Sequence, residues 1–381
     1  MSNSSLRRYH VRLESPVSTG FRCTRAANSL DIDPEKKSVH EFSVEADLES
    51  DFSVGLIVGA SGSGKTTLAR QIFSDEALVS KIKMDLPIIE QFPKEWSYDD
   101  CANALSGMGL TSVPCWIRPV YTLSNGQRAR AEAALGLAFI GNDGLVIDEW
   151  TSVVDRTVAK VMSHCVQKYA RSQKKKIILL SCHYDVAEWL SPDWIIDCNE
   201  QKFIDRRAAR PDRSEQLTFE IRKTDKSAWS YFSKYHYLSE KLPAGHNHFW
   251  GLFQGENQIG FGMFSNYVPR KPGTKMIYHS NRVVIHPDFA GLGLGLKFVN
   301  ETAKLMIEEH RCQVYATFSS IPMYKARLKD WQNWEYMKTE RRIGQYKKGG
   351  NINRNAKGIS NSGYRENVKL FSFKFIGHQR A

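Results

Sequence analysis

The sequence predicts an α/β chain of two successive domains, and two observations carry that expectation. Residues 59–67 read Gly-Ala-Ser-Gly-Ser-Gly-Lys-Thr-Thr, between an apolar run at 54–58 and a helical pattern opening at Thr67. Residues 287–295 read Pro-Asp-Phe-Ala-Gly-Leu-Gly-Leu-Gly, between a strand pattern at 280–285 and a helical pattern at 296–310. In both, a strand runs through a glycine-rich turn into a helix. Such a turn aims backbone N–H groups at one point and adds the positive end of the helix dipole, so each is a cradle for phosphate. The first also satisfies G-x-x-x-x-G-K-[ST]. There Lys65 reaches the β- and γ-phosphates of a nucleotide and the Thr66 hydroxyl can hold Mg²⁺.

Three later segments extend the first domain. Leu123-Ser124-Asn125-Gly126-Gln127 opens a helical run at 128–135. Leu145-Val146-Ile147 is an apolar strand that ends in Asp148 and Glu149. Ile177-Ile178-Leu179-Leu180 is a second apolar strand, followed by Ser181, Cys182 and His183. A further strand is expected at 193–197, and then a polar, basic, proline-interrupted stretch at 205–213 that reads as a linker.

In this order the segments resemble the ATP-binding cassette (ABC) ATPases. The resemblance implies an ATP-binding site of Gly59, Ser61, Gly62, Ser63, Gly64, Lys65, Thr66 and Thr67, with Gln91 as the Q-loop glutamine and Asp148 closing Walker B. Mg²⁺ would be held by Thr66, Gln91 and Asp148. Glu149 would polarise the attacking water and His183 would contact the γ-phosphate, because phosphoryl transfer needs positioning and charge neutralisation. The signature residues Ser124, Gly126 and Gln127, with Asp155 of the D-loop at 152–155, would complete the site of a second copy, so the resemblance implies a homodimer closed around ATP. Asn125 stands where the family usually has glycine, and Trp150 where it has proline.

The bulk composition limits the alternatives. At 381 residues, 41% hydrophobic and 25% charged, the chain has room for two cored domains. No run of some 18 apolar residues is present, so no membrane span is expected, which argues against a self-contained transporter. Seven dispersed cysteines with no C-x-x-C pair fit a reducing, cytoplasmic setting and argue against structural zinc. A net charge of +12 favours an anionic partner, nucleic acid first, or serves solubility and nucleotide binding alone.

The second domain is expected from Leu217. A strand at 217–222 and a helix at 226–235 lead to strands at 249–253 and 259–264, a hairpin around Gly255-Glu256-Asn257. A strand at 313–318, a helix at 322–333 and a last strand at 370–375 complete the order. This order and the loop at 287–295 resemble the GCN5-related N-acetyltransferases (GNAT). The resemblance implies acyl-CoA, in the first instance acetyl-CoA, held by Val284, Ile285, Gly291, Gly293, Leu294 and Gly295. Ala290 stands where that family has Gln or Arg. Tyr324, on the last helix but not at the family's usual offset, is the candidate proton donor. His279 and His286 flank the strand, as bases or as structural residues.

Residues 234–245 gather aromatics, a histidine and lysines before a Pro-x-Gly turn. The stretch is similar to one in phage Mom-type DNA-adenine-modifying acyltransferases, or it is a packed aromatic helix end. The first reading implies a nucleobase amine as acceptor, with His236, Tyr237 and Lys241 near it. Residues 338–366 carry eight basic residues against two acidic ones, a net +6, with Tyr346 and Tyr364 interleaved. Arg341, Arg342, Lys347 and Lys348 there read as a grip on nucleic acid, or as part of a solvated loop.

The expectation is therefore an ABC-type P-loop ATPase domain at 1–204, a linker at 205–216, and a GNAT-like α/β acyltransferase domain at 217–381 with a basic insertion at 338–366. The expected function is ATP-gated acyl transfer from acyl-CoA to nucleic acid, a DNA base above all. An ATP-regulated protein or small-molecule N-acetyltransferase and a non-catalytic ATP-driven nucleic-acid clamp are the alternatives.

Overall fold

The computed structural model describes residues 6–15, 20–29, 38–73, 82–140, 144–208, 217–236, 241–243, 245–267, 273–319, 321–342 and 368–377. The chain divides into two compact units. The first comprises residues 1–96, 107–110 and 115–216, and the second 97–106, 111–114 and 217–381. The excursion of 97–106 and 111–114 into the second unit departs from the single boundary expected near 204.

The first unit is built on a five-stranded sheet. In chain order its strands are β3 (Val54–Val58), β4 (Leu145–Ile147), β5 (Ile177–Ser181), β6 (Trp194–Asp197) and β7 (Lys202–Asp205). In space the order is β4-β5-β3-β6-β7, with the first four parallel and β7 antiparallel to β6. Every residue of β3, β5 and β6 is buried. Parallel strands are covered on both faces, which is why these segments read as continuous apolar runs rather than alternating ones. A separate antiparallel ribbon of β1 (Arg7–Ser15) and β2 (Ser38–Ala46) adds Val11, Phe42 and Val44 to the core shared by Ile57, Leu68, Ile178, Leu180 and Trp194. Helices α1 (Phe21–Ser29), α2 (Lys65–Ile72), α5 (Asn125–Ala138), α6 (Arg156–Gln173) and α7 (Val186–Leu190) complete this unit. Between Gln91 and Ser124 the chain forms α3 (Tyr98–Gly107) and α4 (Val113–Trp116).

The second unit is a seven-stranded sheet in the order β13-β14-β12-β11-β10-β9-β8. Its strands are β8 (Glu220–Lys223), β9 (Asn247–Gln254), β10 (Asn257–Tyr267), β11 (Ile277–Ile285), β12 (Gln313–Phe318), β13 (Trp334–Arg342) and β14 (Val368–Phe375). Among the described residues only the β11–β12 pair of this sheet is parallel, and it needs a crossover, supplied by α9 (Leu294–His310). Phe298 of α9 lies so close to β10 that a Cβ at Gly262 would sit 2.9 Å from its ring. Trp229 and Phe232 of the short α8 (Trp229–Phe232) pack with Phe261, Met263 and Val284. The last helix, α10 (Ile321–Lys329), is shorter than the expected 322–333. Residues 338–342, assigned from sequence to a flexible insertion, belong instead to β13 and pair with 368–372 of β14.

Gly55 in the central strand faces Trp194 across the β3–β6 pair. A Cβ there would lie 2.1 Å from the Trp194 ring, which is fully buried. A ring held in a closed core cannot swing aside without opening it, so Gly55→Ala should destabilise the first unit by about 1–3 kcal/mol. Urea unfolding checks this: the midpoint should fall while the slope stays constant.

Candidate functional site

The nucleotide-binding candidates meet at the C-terminal edge of the parallel strands, where open α/β sheets carry their ligands. The glycine-rich loop leaves β3, Asp148 and Glu149 leave β4, and His183 follows β5. Gly64 takes φ 90 and ψ 12 as the N-cap of α2, and no side chain caps that helix. Its left-handed backbone suits glycine, and the uncapped first turn keeps its N–H groups for a ligand. Lys65 is buried, and its ammonium donates to Gly59 O at 2.9 Å and Ala60 O at 2.8 Å. The Ser63 hydroxyl is buried with no hydrogen-bond partner, which fits a loop shaped for a phosphate.

The Thr66 hydroxyl donates to Asp148 Oδ2 at 2.6 Å. Two hard oxygens held this close suit a small divalent cation. Glu149 has φ 52, and its carboxylate accepts from Ser152 Oγ. Trp150 explains how the turn tolerates the loss of proline. Its N–H donates to Leu180 O at 2.7 Å, a bond that proline cannot make, and its buried indole donates to Ser163 Oγ at 3.1 Å. Ser181 Oγ then joins the two strand ends, donating to Trp150 O at 3.2 Å and accepting from His183 N at 3.1 Å.

Gln91 is oriented differently from the other candidates. Its carboxamide accepts from Lys83 N at 2.6 Å and donates to Lys83 O at 2.8 Å and Leu86 O at 3.1 Å. It therefore closes its own loop, and a role at Mg²⁺ would require this amide to leave those bonds. The signature forms its own cluster. Ser124 Oγ accepts from Gln127 N at 3.3 Å while Gln127 Oε1 accepts from Ser124 N at 3.1 Å, a capping box at the start of α5. Asn125 occupies the first helical position. Asp155 caps α6 by accepting from Val158 N at 3.0 Å, and a Cβ on Gly126 would meet Val158 at 3.3 Å. Signature and D-loop thus support each other.

In the second unit β11 pairs with β12 only from Ile277↔Gln313 to Ser280↔Ala316. Beyond that point the two strands part, and among the described residues Arg282–Ile285 keeps a strand neighbour only on the β10 side. A break in the β10–β11 register lies at this point, between Met263 and Phe264, opposite Arg282 and Ser280. A strand edge without a partner offers its N–H and C=O groups to an extended ligand. The glycine-rich loop follows directly. Gly293 takes φ 78 as the uncapped N-cap of α9, and a Cβ there would meet nothing within 4 Å. Gly291 is also left-handed, at φ 92. The surroundings fit a phosphate-bearing ligand: open space, free N–H groups and a helix N-terminus. Val284 and Leu294 are buried, so Val284 would offer its backbone rather than its side chain. Ile285 lies 3.8 Å from where a Cβ on Gly295 would be.

The proton-transfer candidates sit in packed surroundings. Tyr324 stacks on Phe371 at 4.1 Å between ring centroids, with Tyr336 and Phe373 at its edges. His286 is bonded on both ring nitrogens, to Tyr235 Oη at 3.1 Å and to Asp288 N at 3.3 Å, and lies parallel to Tyr231. His279 stacks on Tyr315, and burial lowers its pKa. The Tyr231–Tyr235–His286 cluster has no signal in the sequence, because His286 lies some fifty positions from the two tyrosines.

Of the nucleic-acid candidates, His236 packs edge-on against Trp229. Burial, with the Arg282 charge adding to it, brings its pKa down to about 4. Lys241 is exposed, and its carbonyl accepts from Arg282 Nη2 at 3.5 Å. Arg341 and Arg342 are the last residues of β13. Tyr237, Lys347 and Lys348 lie outside the described residues.

Comparison with known proteins follows the same division. A sequence model of the acetyltransferase (GNAT) family matches residues 184–328. The match starts inside the first unit, but β6 and β7 belong to the five-stranded sheet, so the acetyltransferase-like fold proper lies beyond residue 216. An ABC transporter ATP-binding protein of Listeria monocytogenes serotype 4b is 29% identical over 183 residues, 38% of this chain and 67% of that protein. Among solved structures, cbiO1 of Clostridium perfringens, part of the ABC transporter complex cbiONQ, is 17% identical with a TM-score of 0.35, over 42% of this chain and 78% of its own. NAA60 of Arabidopsis thaliana in complex with acetyl-CoA is 13% identical with a TM-score of 0.31, over 42% of this chain and 99% of its own. The chain is an enzyme that joins an ABC ATPase-like N-terminal region to a GNAT acetyltransferase-like C-terminal region. Among the described residues no helix is long and apolar enough to cross a membrane.

Two predictions follow from these geometries. Glu149→Gln should slow ATP hydrolysis at least about a hundredfold while leaving ATP binding intact, and should accumulate a dimer on size exclusion with ATP. Hydrolysis at the wild-type rate would place water activation elsewhere. The second concerns His236, His248 and His279, all with lowered pKa; for His248 burial comes first, then the His310 and Lys223 charges. Folding keeps these rings neutral, whereas the unfolded chain protonates them near 6.5. Their contribution to stability is therefore complete above about pH 6.5 and is lost as pH falls from there towards about 4. Urea midpoints of the wild type should fall across that window, and His236→Asn should flatten the decline.

Proposed function

We propose that the chain is an ATP-hydrolysing, ATP-gated acyltransferase that moves an acyl group, acetyl in the first instance, from acyl-CoA to nucleic acid, and to a DNA base amine above all. The carrying observation is the presence in one chain of two uncapped phosphate cradles of different kind. One has Lys65, Thr66 and Asp148 around it. The other opens beside a strand edge that has parted from its neighbour and has no lysine in its turn. The first suits a nucleoside triphosphate and the second suits a CoA pyrophosphate with its pantetheine arm along Asn281–Ile285.

On this reading Lys65 exchanges its bonds to Gly59 O and Ala60 O for phosphate oxygens. Thr66 and Asp148 hold Mg²⁺, which neutralises charge as the γ-phosphoryl group leaves. Glu149 turns from Ser152 to the attacking water. Ser124, Gly126, Gln127 and Asp155 of a second copy complete the site, so a homodimer through an ATP sandwich is the working form. In the second unit the backbone of Val284 and Ile285 and the turn at Gly291, Gly293, Leu294 and Gly295 orient the thioester. The nucleic-acid acceptor rests on the net charge of +12, half of it within 338–366, and on the aromatic and basic residues around His236 and Lys241.

Two observations favour the clamp as a second reading. Tyr324 is packed among aromatics, and Ala290 lacks a polar side chain for the pyrophosphate. A single comparison separates the readings: mass spectrometry of nucleosides from cells expressing the wild type or Lys65→Ala. An acylated nucleoside that disappears with Lys65→Ala supports gated transfer. Salt-sensitive DNA binding without any modified nucleoside supports the clamp. The absence of both binding at low salt and modification rules out nucleic acid as the partner.

A further inference from the structure

The turn after β6 connects the glycine-rich loop to the segment that carries His183. Asp197 ends β6, and Cys198 N continues the sheet by donating to Val58 O at 2.9 Å. Asn199 then faces the loop. Its Oδ1 accepts from Ala60 N at 3.2 Å, and its Nδ2 donates to Tyr184 Oη at 3.2 Å. Tyr184 Oη in turn donates to Asp197 Oδ1 at 3.1 Å. The same carboxylate oxygen accepts from Asn199 N at 2.9 Å and Glu200 N at 3.1 Å.

The donor and acceptor roles in this circuit are fixed by chemistry. A carboxylate only accepts, so the phenol proton points to Asp197 and the phenol oxygen is left to receive Asn199. Flipping the Asn199 amide would set its NH₂ against the Ala60 N–H, donor against donor. Ala60, Asn199, Tyr184 and Asp197 therefore form one directed chain. At one end is the Gly59–Ala60 peptide, whose carbonyl now holds Lys65. At the other is Asp197, and the link before it, Tyr184, is the residue next to His183.

We infer that Asn199 and Tyr184 are positioning residues for ATP hydrolysis: they fix the His183 segment to the phosphate-binding loop, so that the histidine and the cradle move as one. The inference rests on the reading of His183 as the group that meets the γ-phosphate. A phosphate draws Lys65 away from the carbonyls of Gly59 and Ala60, which frees the Ala60 peptide to rock. The bond from its N–H to Asn199 restrains that motion and passes it to Tyr184. His183 itself has only the backbone bond to Ser181 Oγ among those found for it, so its approach depends on what its neighbour holds. Misplacement of a catalytic group by about 1 Å is enough to cost a large factor in rate.

The test is a cycle of ATPase rates on the full chain. Tyr184→Phe keeps the ring and removes both hydroxyl bonds. It should lower kcat about tenfold with the Kd for ATP within about twofold. His183→Ala with Tyr184→Phe should be no slower than His183→Ala alone, because a residue that acts through His183 has nothing left to position. Wild-type kcat in Tyr184→Phe overturns the inference, and so does a double variant whose losses multiply. If His183→Ala alone hydrolyses at the wild-type rate, the reading of His183 fails instead. Hydrogen exchange then decides the clamp on the loop. Asn199→Ala should speed exchange at the Ala60 amide in the nucleotide-free protein, and unchanged exchange there overturns the clamp.

Discussion

Both units depend on a helix N-terminus left without a side-chain cap. At α2 and at α9 the N-cap is a glycine in the left-handed region, and neither offers an oxygen to the first-turn N–H groups. A Ser or Asp on an extended backbone would supply that oxygen, at a gain over glycine of only a few tenths of a kcal/mol. Leaving the position empty sacrifices that and keeps a pole of partial positive charge open to solvent. The helices stay anchored through their buried faces instead: Leu68 and Ala69 on α2, and Phe298, Val299, Ala303 and Met306 on α9. The contrast with α5 and α6 is instructive. Ser124 and Asp155 each cap their helix with a side-chain oxygen, so within the chain part of each first turn is already engaged. For Ser124 to serve a phosphate on a partner, the capping box must open or share its hydroxyl.

The strand ends around β3 show how the site is kept rigid without proline. Trp150 is buried, and its amide, carbonyl and indole are bonded to Leu180, Ser181 and Ser163. The first two bonds join the end of β4 to β5 just below Asp148 and His183, and the third ties the turn to α6. Glu149 and Thr151 on either side both take positive φ, at 52 and 68. For non-glycine residues such backbones are unfavourable, and they persist only where the surroundings fix them. Trp150 provides that fixation, and the strain falls on the residue expected to activate water.

Much of this was legible in sequence because the residues involved are close in the chain or placed by simple rules. The buried parallel strands read as apolar runs, and the glycine-rich turns read as strand-to-helix transitions. What escaped depends on long-range pairing. The β1–β2 ribbon joins Arg7 to Ala46 across thirty-eight intervening positions, and neither strand has a hairpin signal beside it. β13 was hidden because Lys338, Glu340, Arg341 and Arg342 look like solvated loop, whereas an edge strand accommodates charge on its open side. Gln91 follows an apolar pair in the sequence, and no local pattern reveals that its amide closes residues 83–91. The Tyr184–Asp197–Asn199 circuit was equally unreadable: three ordinary polar residues gain a role only when β5 and β6 bring their ends to the same loop.

The two cradles also differ in what they can do with charge. Lys65 lies within the first, buried and held by two carbonyls, so the incoming phosphate must compete for a cation that is already partly satisfied. That competition suits a site that binds, reacts and releases in a cycle, because a bare buried ammonium would hold its anion too tightly. The second cradle, at 290–295, has only backbone and a helix terminus, and its one departure from the acetyltransferase pattern, Ala290, removes a side-chain contact rather than a charge. A weaker hold on the donor fits a transferase whose cofactor must exchange every turnover.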